Sequence, residues 1–367
     1  MKLSRIRVIG KGVILLMKKY RFNPDKGLEF GLYTLGDHMT NPHSGQRISA
    51  QQRLNEIIEL AKLAEEAGLD FFSVGESHQE YFTTQAHSVV LGAIAQATEK
   101  IKIGSSSTIV STLDPVRVYE DFATLDLLSD GRAEIIAGRA SRVGVFELLG
   151  YELQDYEELF EEKFDLLLKI NENETVNWEG KFRAPLQDAK ILPRPKNGTM
   201  PIWRAVGGPA ASAVKAGQAG VPMFIATLGG PAESFKYSID VYRKAARESG
   251  HNPEELPVAT AGFFYTAETT QEAFQEYYPH INEGMKLSNG RGYPKRQFAQ
   301  GMDPRNVMNI GSPDQIVEKI LYQYEMFGHQ RYIAQMDFGG VPFEKLVKNI
   351  ELIGTKILPK VKKYTSK

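Results

Sequence analysis

The 367-residue chain contains no cysteine. That excludes disulfides, thiolate metal sites and a cysteine nucleophile, and it suits a reducing compartment, so a cytoplasmic protein is expected. Charge of one sign is also scarce: 44 Lys and Arg stand against 45 Asp and Glu, a net charge of −1. A balance of that kind draws a chain neither to nucleic acid nor to an anionic membrane, and neither is expected as a partner. No apolar run approaches bilayer-spanning length. The short patch at 13–17 follows basic residues but lacks the length and the cleavage site of a secretion signal. Residues 1–16 are therefore expected to be an extension outside the fold, with one domain over 17–367. A dinucleotide fingerprint is missing too. The turn after the first apolar run reads YTLGDHM, without G-x-G-x-x-G.

What the chain does contain is alternation. Apolar runs at 28–34, 69–74, 101–104, 132–138, 201–206, 221–226, 257–265 and 331–337 read as strands. Helical patterns fall between them. Ser49 with Gln52 resembles a capping box that opens a helix ending at Gly68. Asp114 and Pro115 supply an N-cap acceptor and a first-position proline. Further helices are expected over 86–97, 157–170, 209–218, 231–248, 270–285 and 312–327, and 342–358 closes the chain. Residues 174–200 break the rhythm as an excursion or hairpin. Residues 286–310, rich in Gly, Pro, Arg and Asn, read as a long loop. Eight strands alternating with helices predict an α/β fold: a single (β/α)8 TIM barrel with insertions after helix 4 and before the last strand. A doubly wound open sheet is the runner-up.

In such a barrel the site forms where strands hand over to helices. Those positions hold Tyr33, Thr34, Asp37 and His38, then Glu76, Ser77 and His78, then Ser105 to Ser107. Later strands end in Gly138 and Arg139, in Gly207 and Gly208, and in Asp337. Three of these features fit an anion. Gly207 and Gly208 stand just before a helix start, where free N–H groups and a positive partial charge gather. Arg139 adds a bidentate donor and Ser212 a hydroxyl. Small serines at 106 and 107 leave room for a flat ring, or are a plain polar strand end. His78 with Glu76 reads as a proton donor with its carboxylate, or as a structural histidine. A metal cluster with Asp37 and His38 is the weaker alternative, and no metal is expected. Arg291, Tyr293, Lys295 and Arg296 make 286–310 a natural lid, or a solvated insertion.

Several runs in order carry a resemblance. They are AEEAGLDFFSVGESH at 64–78, D-P-V-R at 114–117, L-D-x-L-S-x-G-R at 125–132, x-G-R-x-S at 137–141, PIWRAVGGPAAS from 201 and NIGSPDQIVEKI from 309. Together they resemble the bacterial luciferase-like flavin-dependent monooxygenase superfamily over nearly the whole chain after Met17. The resemblance implies a barrel binding FMN, or in one branch the deazaflavin F420, with FMN preferred here. It implies reduced flavin from a separate reductase, O2 activation, a small organic substrate and a homodimer. Arg139 matches the arginine on the flavin phosphate; Val206, Gly207, Gly208 and Ser212 match the cradle beside it. Ser106 and Ser107 match a pair, often joined by a non-proline cis peptide, that lies against the flavin ring, and Tyr33 falls in the same pocket. Glu76 matches an acidic position. The next residue in luciferases is a catalytic histidine; here it is Ser77, and His78 is expected to act instead. Light emission from a long-chain aldehyde is not expected. The implied function is an FMN-dependent monooxygenase, with a hydride-transferring flavin or F420 reductase and a non-catalytic flavin-binding protein as alternatives.

Overall fold

The computed structural model describes residues 19–207 and 210–367; the expected extension at 1–16 lies outside the described residues. Eight parallel strands form the barrel: β1 (Glu29–Thr34), β2 (Phe71–Val74), β3 (Lys102–Ser105), β4 (Ala133–Gly138), β5 (Ile202–Val206), β6 (Met223–Ala226), β7 (Val258–Thr266) and β8 (Arg331–Gln335). Each pairs with its neighbours, and β8 closes on β1 with Glu29 opposite Arg331 and Leu32 opposite Ala334. The alternation read from sequence is therefore a closed (β/α)8 barrel, and the open sheet is excluded. All nine residues of β7 are buried, as a strand covered on both faces requires. Inside the barrel, size alternates. A Cβ at Gly31 or Gly104 would lie 2.9 Å from atoms of Phe71, whose ring occupies the space those glycines leave. Burying that ring contributes about 2–3 kcal/mol.

Helices α1 (Ala50–Glu66), α2 (His87–Ala97), α3 (Pro115–Leu128), α4 (Tyr156–Glu172), α5 (Ala210–Gln218), α6 (Ala232–Glu248), α7 (Thr270–Asn289) and α8 (Pro313–Phe327) surround the strands. Their starts follow cap chemistry. Asp114 Oδ1 accepts from Val116 N at 2.8 Å, with Pro115 as the first helical residue of α3. The capping box at α1 is only half formed. Ser49 Oγ accepts from Gln52 N (3.1 Å), but the Gln52 amide donates forward to Glu56 (2.9 Å) instead of reaching back. The complete box is at α7, between Thr269 and Glu272. No helix among the described residues is long and apolar enough to cross a membrane.

The first insertion is the expected hairpin, Thr175–Trp178 antiparallel to Leu186–Lys190. The second differs from the long loop expected. Helix α7 continues to Asn289, where Gly290 ends it in the left-handed conformation (φ 76°). A short helix Lys295–Ala299 follows, and Asn309–Gly311 pairs in parallel with the end of β7. Tyr293 and Phe298 are buried, with Phe298 packed on Phe274, Tyr277 and Tyr278. Glycines that read as loop are caps and turns within a packed unit.

Candidate active site

At the C-terminal ends of the strands lies a cavity of about 500 Å³. Tyr33, Glu76, His78, Ser106, Ser107, Arg139, Val206 and Gly207 all line it. Five strands and their following turns thus bring together residues spread over about 170 positions of sequence, because parallel strands all point the same end at one mouth. Gly208 lies outside the described residues.

The Ser106–Ser107 peptide is cis and not followed by proline. Its place is fixed from three sides. Ser106 N donates to Val74 O (3.2 Å), and Glu76 N donates to Ser107 O (3.0 Å). A Cβ at Gly75 would meet the Ser106 carbonyl, and one at Gly138 would meet the Ser107 side chain. Glycine at both strand ends is what lets this turn sit so deep. Ser106 Oγ is buried and has no hydrogen-bond partner among the described residues. Ser105, by contrast, is committed to the barrel wall, where its hydroxyl bridges Ile136 N and O.

At the end of β4, the strand next to this turn, Arg139 donates from Nη2 to Ser212 Oγ (3.1 Å) and from Nη1 to Glu157 Oε1 (2.5 Å). Its guanidinium also lies over the rings of Tyr156 and Phe160. Ser212 is buried in the first turn of α5, so a cation, a hydroxyl and a helix N-terminus converge. Glu157 is half exposed at its side chain (56%) and shares the arginine from the solvent side.

The acid–base pair is in contact. His78 Nε2 lies 2.7 Å from Glu76 Oε1. Glu76 Oε2 accepts from Ile109 N (2.7 Å), which fixes the carboxylate. His78 Nδ1 has no partner among the described residues. A histidine the sequence reading passed over stands behind the pair. His87 Nδ1 is 3.9 Å from Glu76 Oε2 and its Nε2 meets Thr108 Oγ1 (2.8 Å); burial pushes its pKa down and keeps it neutral. Tyr33 donates to Gln335 Oε1 (2.6 Å), and burial, reinforced by Asp337, holds its phenol protonated.

Several strand-end residues serve the frame instead. Asp37 accepts from Gly339 N (2.9 Å) and Gly340 N (3.0 Å), and burial lifts its carboxyl to about 7. Asp337 is held by Arg53 Nη2 (2.6 Å) and Thr34. His38 is occupied by Ile48 O and Arg47. The expected lid residues Arg291, Tyr293, Lys295 and Arg296 do not line the cavity, because their segment packs against Phe274 and Tyr277 of α7; from that element Met285 and Ser288 reach the cavity. Gln335, Tyr156 and Arg142 line it without having been singled out.

Comparison with known proteins bears on this geometry. The chain is 27% identical over 255 residues to N-acetyl-S-alkylcysteine monooxygenase of Bacillus subtilis (strain 168), covering 67% of this chain and 72% of that one. It is 31% identical over 194 residues to F420-dependent glucose-6-phosphate dehydrogenase of Amycolatopsis mediterranei (strain U-32), covering 50% of this chain and 57% of that one. The solved oxygenating constituent of 3,6-diketocamphane monooxygenase from Pseudomonas putida, in complex with FMN, shares the fold. The TM-score is 0.72 at 19% identity, over 91% of this chain and 99% of that one. Residues 28–331 match the family model for luciferase-like monooxygenases. The chain belongs to the luciferase-like monooxygenase family, whose members include monooxygenases and F420-dependent oxidoreductases.

Proposed function

We propose that this chain is an FMN-dependent oxidoreductase, the oxygenating half of a two-component monooxygenase that takes reduced flavin from a separate reductase and acts on a small organic substrate. The observation that carries this reading is the convergence of Arg139 and Ser212 at the cavity that Ser106, Ser107 and His78 also line. The residues present fit the cofactor. Arg139, Ser212 and the N-terminus of α5 suit a phosphate. The unpartnered Ser106 Oγ and the flat Ser106–Ser107 turn suit a polar aromatic ring, with Val206 and Gly207 between the two. Bound in its reduced form, the flavin supplies the electrons that activate O2. The chain's own residues position the ring, exclude water with the apolar side chains of Phe224, Phe263 and Phe338 that line the cavity, and move a proton at His78 Nδ1. Glu76 orients that imidazole through Nε2 and is itself held by Ile109 N.

The likeness to an F420-dependent dehydrogenase favours a second reading, hydride transfer without oxygen. Turnover of candidate substrates with photoreduced FMN separates the two. Substrate oxidation that needs O2 supports the monooxygenase. Equal turnover under argon, or O2-independent turnover coupled to reduction of oxidised F420 or oxidation of reduced F420, overturns it. Consumption of O2 with no substrate oxidised supports a flavin-binding protein.

A further inference from the structure

We propose that Arg142 is a second anion clamp in this cavity, separate from Arg139, and that it selects an organic substrate carrying a carboxylate on an apolar body. The assignment of that carboxylate to substrate rests on the flavin reading above, which gives Arg139 to the cofactor.

Arg142 lines the cavity, yet among the described residues its guanidinium makes no hydrogen bond and no ion pair. Its Nε is shut off from solvent without a partner. Its one recorded contact is the face of Phe82, 4.9 Å from the ring centre. An arginine presents five donors and cannot shed its charge, so a half-buried one lacking acceptors is held ready for an acceptor from outside the chain. Arg139, three residues earlier, is already engaged by Ser212 and Glu157.

The two arginines serve different sides of the mouth. Arg139 reaches toward α5 and α4, beyond β4 and β5. Arg142 lies on Phe82, in the turn after β2, and its charge acts on the Tyr33 hydroxyl at the end of β1. A single phosphate held by Arg139 and Ser212 would therefore leave Arg142 for a different group. The cavity also has an apolar lining: Phe263, Phe338, Met285, Leu228 and Phe224. Glu76 is the one acid among the lining residues, and both its oxygens are committed, to His78 and to Ile109 N. A cation with no partner among the described residues, an aromatic platform beneath it and apolar side chains in the same cavity describe a receptor for a small carboxylic acid.

The test uses calorimetry with hexanoate and benzoate as probes and hexanamide and benzamide as neutral isosteres. Titrations are made on the FMN-loaded protein and on the flavin-free protein. The acids should bind at least about ten-fold more tightly than the amides, as charge-assisted pairing to arginine implies. Arg142→Gln should abolish that preference and leave FMN affinity within about two-fold, and Arg142→Lys should restore part of it. Circular dichroism checks that the variants are folded. Equal binding of acids and amides to the wild type, or a preference that survives Arg142→Gln, overturns the proposal. So does a variant that loses FMN while keeping the acids, which would assign Arg142 to the flavin phosphate. If FMN fails to bind the wild type, the flavin reading falls, while the acid–amide comparison on flavin-free protein still decides the role of Arg142.

Discussion

Arg331 and Arg142 stand at opposite ends of one barrel and are partnered in opposite ways. Arg331 is the first residue of β8, fully buried at the N-terminal end. Its Nε donates to Glu29 Oε2 (2.9 Å), and its Nη1 and Nη2 donate to Glu134 (2.8 and 3.1 Å). Glu134 also accepts from Trp203 Nε1 (3.0 Å), Lys102 pairs with Glu29, and the guanidinium lies 4.1 Å from the centre of the Phe71 ring. Burial opposes ionisation of Glu134, but Arg331 outweighs it and keeps the carboxyl below its usual range. At the C-terminal end, Arg142 and Ser106 Oγ lie unmatched, and Arg139 is only shared. The base satisfies its charges internally and so serves stability. The mouth leaves donors open, and a ligand is what can complete them.

The contrast can be broken at its strongest point first. Arg331→Met leaves Glu134 buried without its cation and Glu29 with Lys102 alone, and should destabilise the fold by about 3–5 kcal/mol in urea unfolding. The fraction that remains folded should bind FMN normally. Gly138→Ala acts on the mouth. Its Cβ meets the Ser107 side chain and must displace the Ser106–Ser107 turn. A stability loss of roughly 1–3 kcal/mol is expected, with a clear loss of FMN affinity measured by fluorescence quenching. The same change with intact affinity would separate that turn from the flavin site.

His329 sharpens the comparison because it sits at the base with no partner for either ring nitrogen among the described residues. Burial pushes its pKa from 6.5 down to about 3. Below pH 6.5 the unfolded chain takes a proton that the folded chain refuses, so stability present above that pH drains as pH falls toward the folded value. Near pH 5 this residue should lower stability by about 2 kcal/mol relative to pH 8, and His329→Leu should flatten that part of the fall in urea midpoints. The smallest effect is expected at Glu157, a half-exposed acid beside the proposed phosphate site. Glu157→Gln should raise FMN affinity about two- to five-fold at low salt, and the gain should shrink as salt is added.

Much of this arrangement was legible from residue pattern. Apolar runs at regular intervals, cap residues such as Asp114 with Pro115, and Arg139 at a strand end mark local rules that tertiary packing did not override. The segment 286–310 was misread because glycine and proline signal a change of direction equally in loops and in packed caps. Gly290 ends α7, and the buried Tyr293 and Phe298 were the better guide. Arg142 and Gln335 were not singled out for a different reason. Their roles depend on what stands across the mouth, on Phe82 and Tyr33, which no local spacing encodes. His87 is similar: it reads as the start of α2, and only the fold brings it beneath Glu76.

The central claim is that the mouth grips a flavin by its phosphate, and the comparison of FMN with riboflavin tests it most directly. Both are titrated into wild type and Arg139→Ala by fluorescence quenching. Wild type should bind FMN about ten- to a hundred-fold more tightly than riboflavin, and the variant should bind the two nearly alike. Equal affinities in the wild type, or a phosphate preference that persists in Arg139→Ala, would contradict the account.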